Sequence, residues 1–239
     1  MKNSSIYLVI FILFSLLCSY VLCTYIPGFK RELGFYDTIS VSDGDENVDL
    51  DKALIVDACN QDKTSCLKNV ILIKGRLDEG TISSIKNLKG PNNKIICFDS
   101  PGGSINTATE IGYWIKENGF DTCLAEKYIV KNKRVLTTTV CYSACPFVFV
   151  MGNERIMIGN DFQVGLHHSG GTVDFCFCSF NYNSLEFVAN NKYKEMVGLS
   201  NASEQHINML DDSLLIDFSE IYILPPTKFD KYKLFTKKI

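Results

Sequence analysis

A chain of 239 residues with 46% hydrophobic and 21% charged residues holds enough material for one well-packed domain plus attachments, and it is not a disordered segment. A net charge of -3 gives no basic surface for nucleic acid, so that class of partner is set aside. Three histidines in the whole chain restrict where imidazole chemistry can occur.

At the N-terminus Lys2 precedes an apolar run from Ile6 to about Leu22, interrupted by Ser15, Cys18 and Ser19. A basic start followed by an apolar stretch is the pattern of a secretory signal, expected over residues 1–23. The run is also close to bilayer length, so retention as an anchor through residues 6–22 is the alternative to cleavage after Cys23. Either way the body of the protein is expected outside the cytoplasm, periplasmic or secreted. Beyond the leader stand Cys59, Cys66, Cys97, Cys123, Cys141, Cys145, Cys176 and Cys178, an even number that favours disulfides in an exported chain. Cys59 and Cys66 bracket the polar loop Asn60 to Ser65 and make the favoured local bridge. Cys97 and Cys123 fall in two apolar runs and either pair or stay buried thiols; spacing does not connect the others.

Residues 24–67 read as a linker or arm, with Pro27 and the acidic run Asp43 to Asp51. A domain is expected over 68–239. Val70 to Ile73 and Ile95 to Phe98 are continuous apolar runs ended by Gly75 and by Asp99-Ser100-Pro101, the signature of strands buried on both faces. Between them Ile82, Ile85 and Leu88 recur at helical spacing. After Gly103, Ser104 is a good N-cap for a helix carrying Ile105, Ala108, Ile111 and Ile115, which Gly119 ends. Phe120 to Ala125 is a third strand, giving β-α-β-α-β and stacked crossover units of an α/β fold. Glu126 to Thr139 is polar and basic and is expected to leave the sheet. Pro146 to Met151 follows a helix start, Phe162 to Leu166 is strand-like, and Leu185 to Val197 and Glu204 to Leu215 are helical.

Three short signals carry chemistry. Ser143, between Cys141 and Cys145, stands near a helix N-terminus where amides favour developing negative charge; the plain alternative is an N-capping serine. His167 and His168 follow at a strand end, where adjacent side chains take opposite faces, so one at most serves Ser143 as a general base. The plain alternative is a satisfied surface or supporting histidine. Gly102-Gly103 lies between a strand and a helix, where amides can face a crevice, or it is a simple tight turn.

The order Ser100-Pro101-Gly102-Gly103, helix, strand, a small-residue loop with Ser143, then strand and His167-His168-Ser169-Gly170-Gly171 resembles the Clp peptidase group of the crotonase-like fold. The stretch Cys141 to Cys145, the apolar Phe147 to Met151, Gly152 and Arg155 resemble predicted periplasmic members. The resemblance covers roughly residues 68–224. It implies a crotonase-like fold of stacked β-α-β units with helices packed outside. Ser143 would be the nucleophile, His167 the base, and Gly103 and Ala144 the oxyanion amides. The segment beginning Glu204-Gln205 points to Asp211 or Asp212 as the orienting acid and spacing to Asp217; Asp212 is the choice. The resemblance also implies a homo-oligomer, with helices from Leu185 onward as interface candidates. His168 stands where that family commonly has glutamine, and Glu126 to Thr139 is longer than in cytosolic members.

The resulting expectation is an exported serine hydrolase, an ATP-independent peptidase acting on peptides or unfolded segments, with no cofactor and no metal. Two other readings compete. One is a crotonase-like binding or scaffold protein without catalysis. The other is a metal-binding protein using His167, His168, Cys176 and Cys178.

Overall fold

The computed structural model describes residues 52–90, 93–130, 135–136, 139–168, 171–175, 178–182, 186–216 and 220–239, with backbone alone for 171–175, 178–182 and 186–190. The expected leader and residues 24–51 of the arm lie outside the described residues. Among the described residues no helix is long and apolar enough to cross a membrane. The chain divides into two units, one of residues 48–169 with 186–239 and one of 1–47 with 170–185.

The first unit begins with β1 (Ala53–Cys59) and β2 (Cys66–Lys74), an antiparallel pair whose connecting loop is closed by the Cys59–Cys66 disulfide. Helix α1 (Glu79–Leu88) follows, with Asp78 and Thr81 forming a reciprocal capping box. Then come β3 (Ile95–Asp99), α2 (Ile105–Glu117) and β4 (Asp121–Ala125). Ser104 caps α2 by accepting from the Thr107 N–H. Strands β2, β3 and β4 are parallel neighbours, so the expected β-α-β-α-β core is present. Cys97 and Cys123 face each other across the β3–β4 ladder and are joined as a disulfide.

Two boundaries differ from the sequence reading. Residues 53–59, assigned to the arm, form β1 inside the main sheet, so the domain starts before residue 68. The segment Glu126 to Thr139, expected to leave the sheet, contributes β5 (Lys127–Val130) and β6 (Val135–Leu136), which extend it antiparallel beyond β1. Both differences have one cause. Strands near a sheet edge keep one side wet, so Asp57 and Lys127 interrupt the apolar signal; Asp57 pairs with Lys68 on β2.

The chain continues through β7 (Thr139–Tyr142), α3 (Cys145–Phe149), β8 (Arg155–Ile158) and β9 (Phe162–Leu166). It ends with α4 (Glu186–Val197), α5 (Ser203–Ser213), a strand at Tyr222–Ile223, helix α6 (Pro226–Lys231) and a strand at Lys237–Lys238. In the second unit β10 (Gly171–Phe175) and β11 (Cys178–Tyr182) form an antiparallel hairpin, which makes Tyr222–Ile223 β12 and Lys237–Lys238 β13. The main sheet runs β13-β8-β4-β3-β2-β1-β5-β6, and a smaller sheet runs β12-β9-β7.

Alternation along β2 explains the continuous apolar runs. Ile71 and Ile73 join the cluster that contains Ile85 and Ile111 of the helices, while Val70 and Leu72 join a second cluster with Tyr128 and the Cys97–Cys123 pair. Both faces are buried, as parallel strands require.

The C-terminal segment is locked by a buried cation. Arg155 is fully buried and donates from Nε to the Leu234 carbonyl at 3.0 Å, from Nη2 to Lys233 at 3.1 Å and from Nη1 to Gly152 at 3.3 Å. His206, the third histidine, is buried beside it, with Nδ1 2.6 Å from Ser200 Oγ and Nε2 at a longer 3.5 Å from the Lys233 carbonyl. Burial, and then the Arg155 charge, push its imidazole down to about 4. The unfolded chain therefore takes a proton below the ordinary value near 6.5 while the folded chain refuses it. The His206 contribution is complete above that pH and is lost as pH falls toward 4. Lowering the pH from 7 to 4.5 is expected to cost roughly 2–3 kcal/mol through this residue. Urea midpoints at the two pH values, repeated with His206→Gln, check it; an equal acid shift in the variant would contradict it.

Candidate active site

The junction between β7 and α3 is a sharp strand–turn–helix bend. Ser143 sits at its apex with φ +59, in the left-handed region that side chains other than glycine and asparagine enter at a cost of about 1–2 kcal/mol. The N-cap of α3 is Ala144, with no side-chain capping bond. Ser143 is therefore not the capping residue of that helix, and the plain explanation for a serine at this place falls away. Its backbone N–H donates to the Gly165 carbonyl at 3.0 Å, and its side chain is half-buried.

The loop between β3 and α2 lies directly against this bend. Ser100 forms a parallel bridge to Cys141, its N–H donating to Val140 and its carbonyl accepting from Tyr142. Asp99 Oδ1 accepts from the Val140 N–H at 3.2 Å. Burial raises that carboxyl, the Val140 bond and the Lys74 charge opposing. Gly102, at φ +95, packs so closely that a Cβ there would stand 2.6 Å from Ser143 Cβ, 2.7 Å from the Tyr142 carbonyl oxygen and 2.9 Å from Ala144 N. No larger residue fits while the bend keeps its shape. At Gly103 a Cβ would collide with the Leu77 backbone at 2.3 Å.

The local hydrogen bonds leave some amides of these two segments without a partner. The Gly102 N–H donates to Ser100 Oγ at 3.1 Å, and the Ser104 N–H donates to Leu77. Among the described residues the N–H groups of Gly103 and Ala144 have no acceptor. One belongs to the glycine turn and the other to the bend, the two segments that Gly102 brings into contact. Backbone amides without an acceptor are the kind of donor that an oxyanion hole uses.

His167 follows β9, which runs parallel to β7 with Tyr142 opposite Gly165. It stands two residues beyond the carbonyl that Ser143 binds, at the same end of the small sheet as the bend. Burial lowers its imidazole below the ordinary value, a backbone bond with His168 opposing and the His168 charge adding to the effect. It is therefore largely uncharged at neutral pH. His168 is buried, and its N–H donates to the Ile216 carbonyl at 3.3 Å. Gly165 is a further close approach, since a Cβ there would meet Ile221 at 2.5 Å and the Tyr142 ring at 2.6 Å.

The three aspartates proposed as orienting acid differ in their surroundings. Asp211 forms an ion pair with Lys194 at 2.9 Å. Asp212 Oδ2 accepts from Lys231 Nζ at 2.5 Å and from Tyr232 Oη at 2.6 Å, contacts that hold its carboxyl below the usual range. Asp217 lies outside the described residues. Of the alternative metal set, Cys176 and the Cys178 side chain also lie outside them; among the described residues no group of three His, Cys, Asp or Glu side chains could hold a metal ion.

Sequence reasoning did not single out Ser100, whose buried hydroxyl takes the Gly102 N–H, nor Gly165. It also left unpaired the Cys141–Cys145 disulfide that spans the bend. The Ser-Pro-Gly-Gly string marked the turn, but its partner across space has no signal in the string itself.

No family model and no curated protein matches the chain. Similar solved structures include a serine-to-alanine mutant of the 1510-N membrane-bound stomatin-specific protease, at TM-score 0.49 and 13% identity over 70% of this chain and 77% of that one. A lysine-to-alanine mutant of the 1510-N protease in complex with a substrate peptide is similar at TM-score 0.48 and 15% identity, over 70% of this chain and 73% of that one. At such identities no side-chain role passes from those proteins to this chain.

Proposed function

We propose that the protein is a serine hydrolase acting on peptides or unfolded segments, without ATP, in an oxidising compartment outside the cytoplasm. The observation that supports it most is the Ser143 bend, strained at φ +59 and flanked by two amides without acceptors among the described residues. In this reading the neutral His167 takes the Ser143 proton as Oγ attacks the scissile carbonyl carbon. The carbonyl oxygen becomes an oxyanion between Gly103 N–H and Ala144 N–H. His167 then returns the proton to the leaving amine, and water releases the acyl group by the same route. The three disulfides among the described residues suit the proposed compartment.

A fluorophosphonate probe tests the reading directly. The protein is expected to bind one equivalent covalently, with the adduct mapped to Ser143; a folded protein that takes up no probe would leave the non-catalytic scaffold reading instead. Because burial depresses His167, the acid limb of kcat/KM is expected to inflect below pH 6.5. Activity controlled by a group titrating above 7 would contradict that assignment.

The orienting carboxylate is settled by asparagine variants at Asp211, Asp212 and Asp217. Asp212 serves Lys231 and Tyr232 already, so Asp212→Asn is expected to lower stability and leave the labelling rate nearly unchanged. A collapse of labelling in that variant alone would instead make Asp212 the third member.

A further inference from the structure

We propose that the Cys141–Cys145 disulfide is a positioning clasp for Ser143, fixing the left-handed bend that presents its hydroxyl. This rests on the reading of Ser143 as nucleophile and names what holds it. The bond joins the third residue of β7 to the first residue of α3, with Cα atoms 5.2 Å apart and a sequence separation of 4, so Ser143 is the middle residue of the closed ring.

The other two disulfides among the described residues secure geometry that hydrogen bonds already set. Cys59–Cys66 joins opposed residues at the loop end of the β1–β2 ladder, and Cys97–Cys123 bridges directly opposed residues of a parallel ladder. The bend has less of it, since β7 pairs with β9 only as far as Tyr142. The ladder to Ser100 ends at the Tyr142 N–H, and among the described residues Ser143 keeps a single backbone bond, to Gly165. Ala144 offers no cap, and its N–H has no acceptor among the described residues. Helical bonding resumes with Val148 N–H to the Ala144 carbonyl at 3.3 Å. A residue held at positive φ with few hydrogen bonds would relax toward commoner conformations unless something over-determined it. A covalent ring across the apex does so. Both sulfurs are fully buried, so soluble thiols do not reach the bond in the folded protein and the clasp is permanent.

The clasp differs from a simple staple in what its loss changes. A staple lowers stability; a clasp slows the attack of Ser143 while leaving substrate binding intact. In Cys141→Ala/Cys145→Ala the fluorophosphonate labelling rate and kcat are expected to fall together by about tenfold to a hundredfold, the range that misplacement of a reacting group produces, with KM within about twofold. Cys59→Ala/Cys66→Ala, remote from the bend, is expected to lose thermal stability and keep its labelling rate. Should the alanine pair fail to fold, Cys141→Val/Cys145→Ala restores buried volume and is measured in its place. A folded variant that labels as fast as the wild type overturns the clasp while the hydrolase reading stands. Failure of both pairs to fold assigns the bond to the fold alone and also overturns it. A folded wild type that takes up no probe removes the hydrolase reading and the clasp with it.

Discussion

Replacing Ser143 with alanine is expected to abolish fluorophosphonate labelling and to reduce peptide hydrolysis by about four orders of magnitude or more, the usual scale for a deleted nucleophile. The fold should survive, because the side chain is half-buried and the substitution leaves the Cys141–Cys145 bond, the backbone bond to Gly165 and the packing of Gly102 in place. Ser143→Gly makes the sharper variant. Glycine takes φ +59 without the Cβ penalty, so relief of that strain offsets glycine's greater loss of backbone freedom on folding. The melting temperature is expected to hold or rise while activity disappears. A conformation that stability opposes is kept at functional positions. A drop of several degrees in Ser143→Gly, or retained labelling in Ser143→Ala, would contradict this assignment.

The second large effect is expected at Gly102. A methyl group there must share space with Ser143 Cβ at 2.6 Å, the Tyr142 carbonyl oxygen at 2.7 Å and Ala144 N at 2.9 Å. Two of these atoms are backbone, so nothing flexible can swing aside. Either the bend or the glycine turn must move, and the proposed oxyanion amides of Gly103 and Ala144 move with them. Gly102→Ala is expected to cost about 2–4 kcal/mol of stability and at least about a hundredfold in kcat. Gly75 supplies the control, since it too has positive φ, at +81, yet a Cβ there meets nothing within 4 Å. Gly75→Ala should cost only the backbone term, about 1 kcal/mol, and leave activity intact. Gly102→Ala with near wild-type activity would show that the two loops are not tightly coupled.

The parallel core was legible because its residues satisfy two rules at once. Val70 to Ile73 and Ile95 to Phe98 are apolar on both sides of the strand, and Ser104 marks a helix start by the chemistry that its cap uses. Strand β1 escaped because Asp57 and a following loop of polar residues read as linker, and β5 and β6 escaped because strands at and next to a sheet edge carry polar residues that resemble exposed coil. At the site, the residue types and their order were visible in the string. The backbone dihedral of Ser143 was not, nor the contact of Gly102 with the bend, because neither leaves a compositional trace. The same limit applies to the acid: spacing cannot show that Asp212 is already engaged by Lys231 and Tyr232.

A crystal structure of the fluorophosphonate adduct tests the Ser143 assignment most directly. Phosphorus is expected on Ser143 Oγ, with a phosphonyl oxygen accepting from both the Gly103 and Ala144 N–H groups and a His167 ring nitrogen within hydrogen-bond reach of Oγ. An adduct on another residue, or an imidazole on the far side of the small sheet from Oγ, would contradict it.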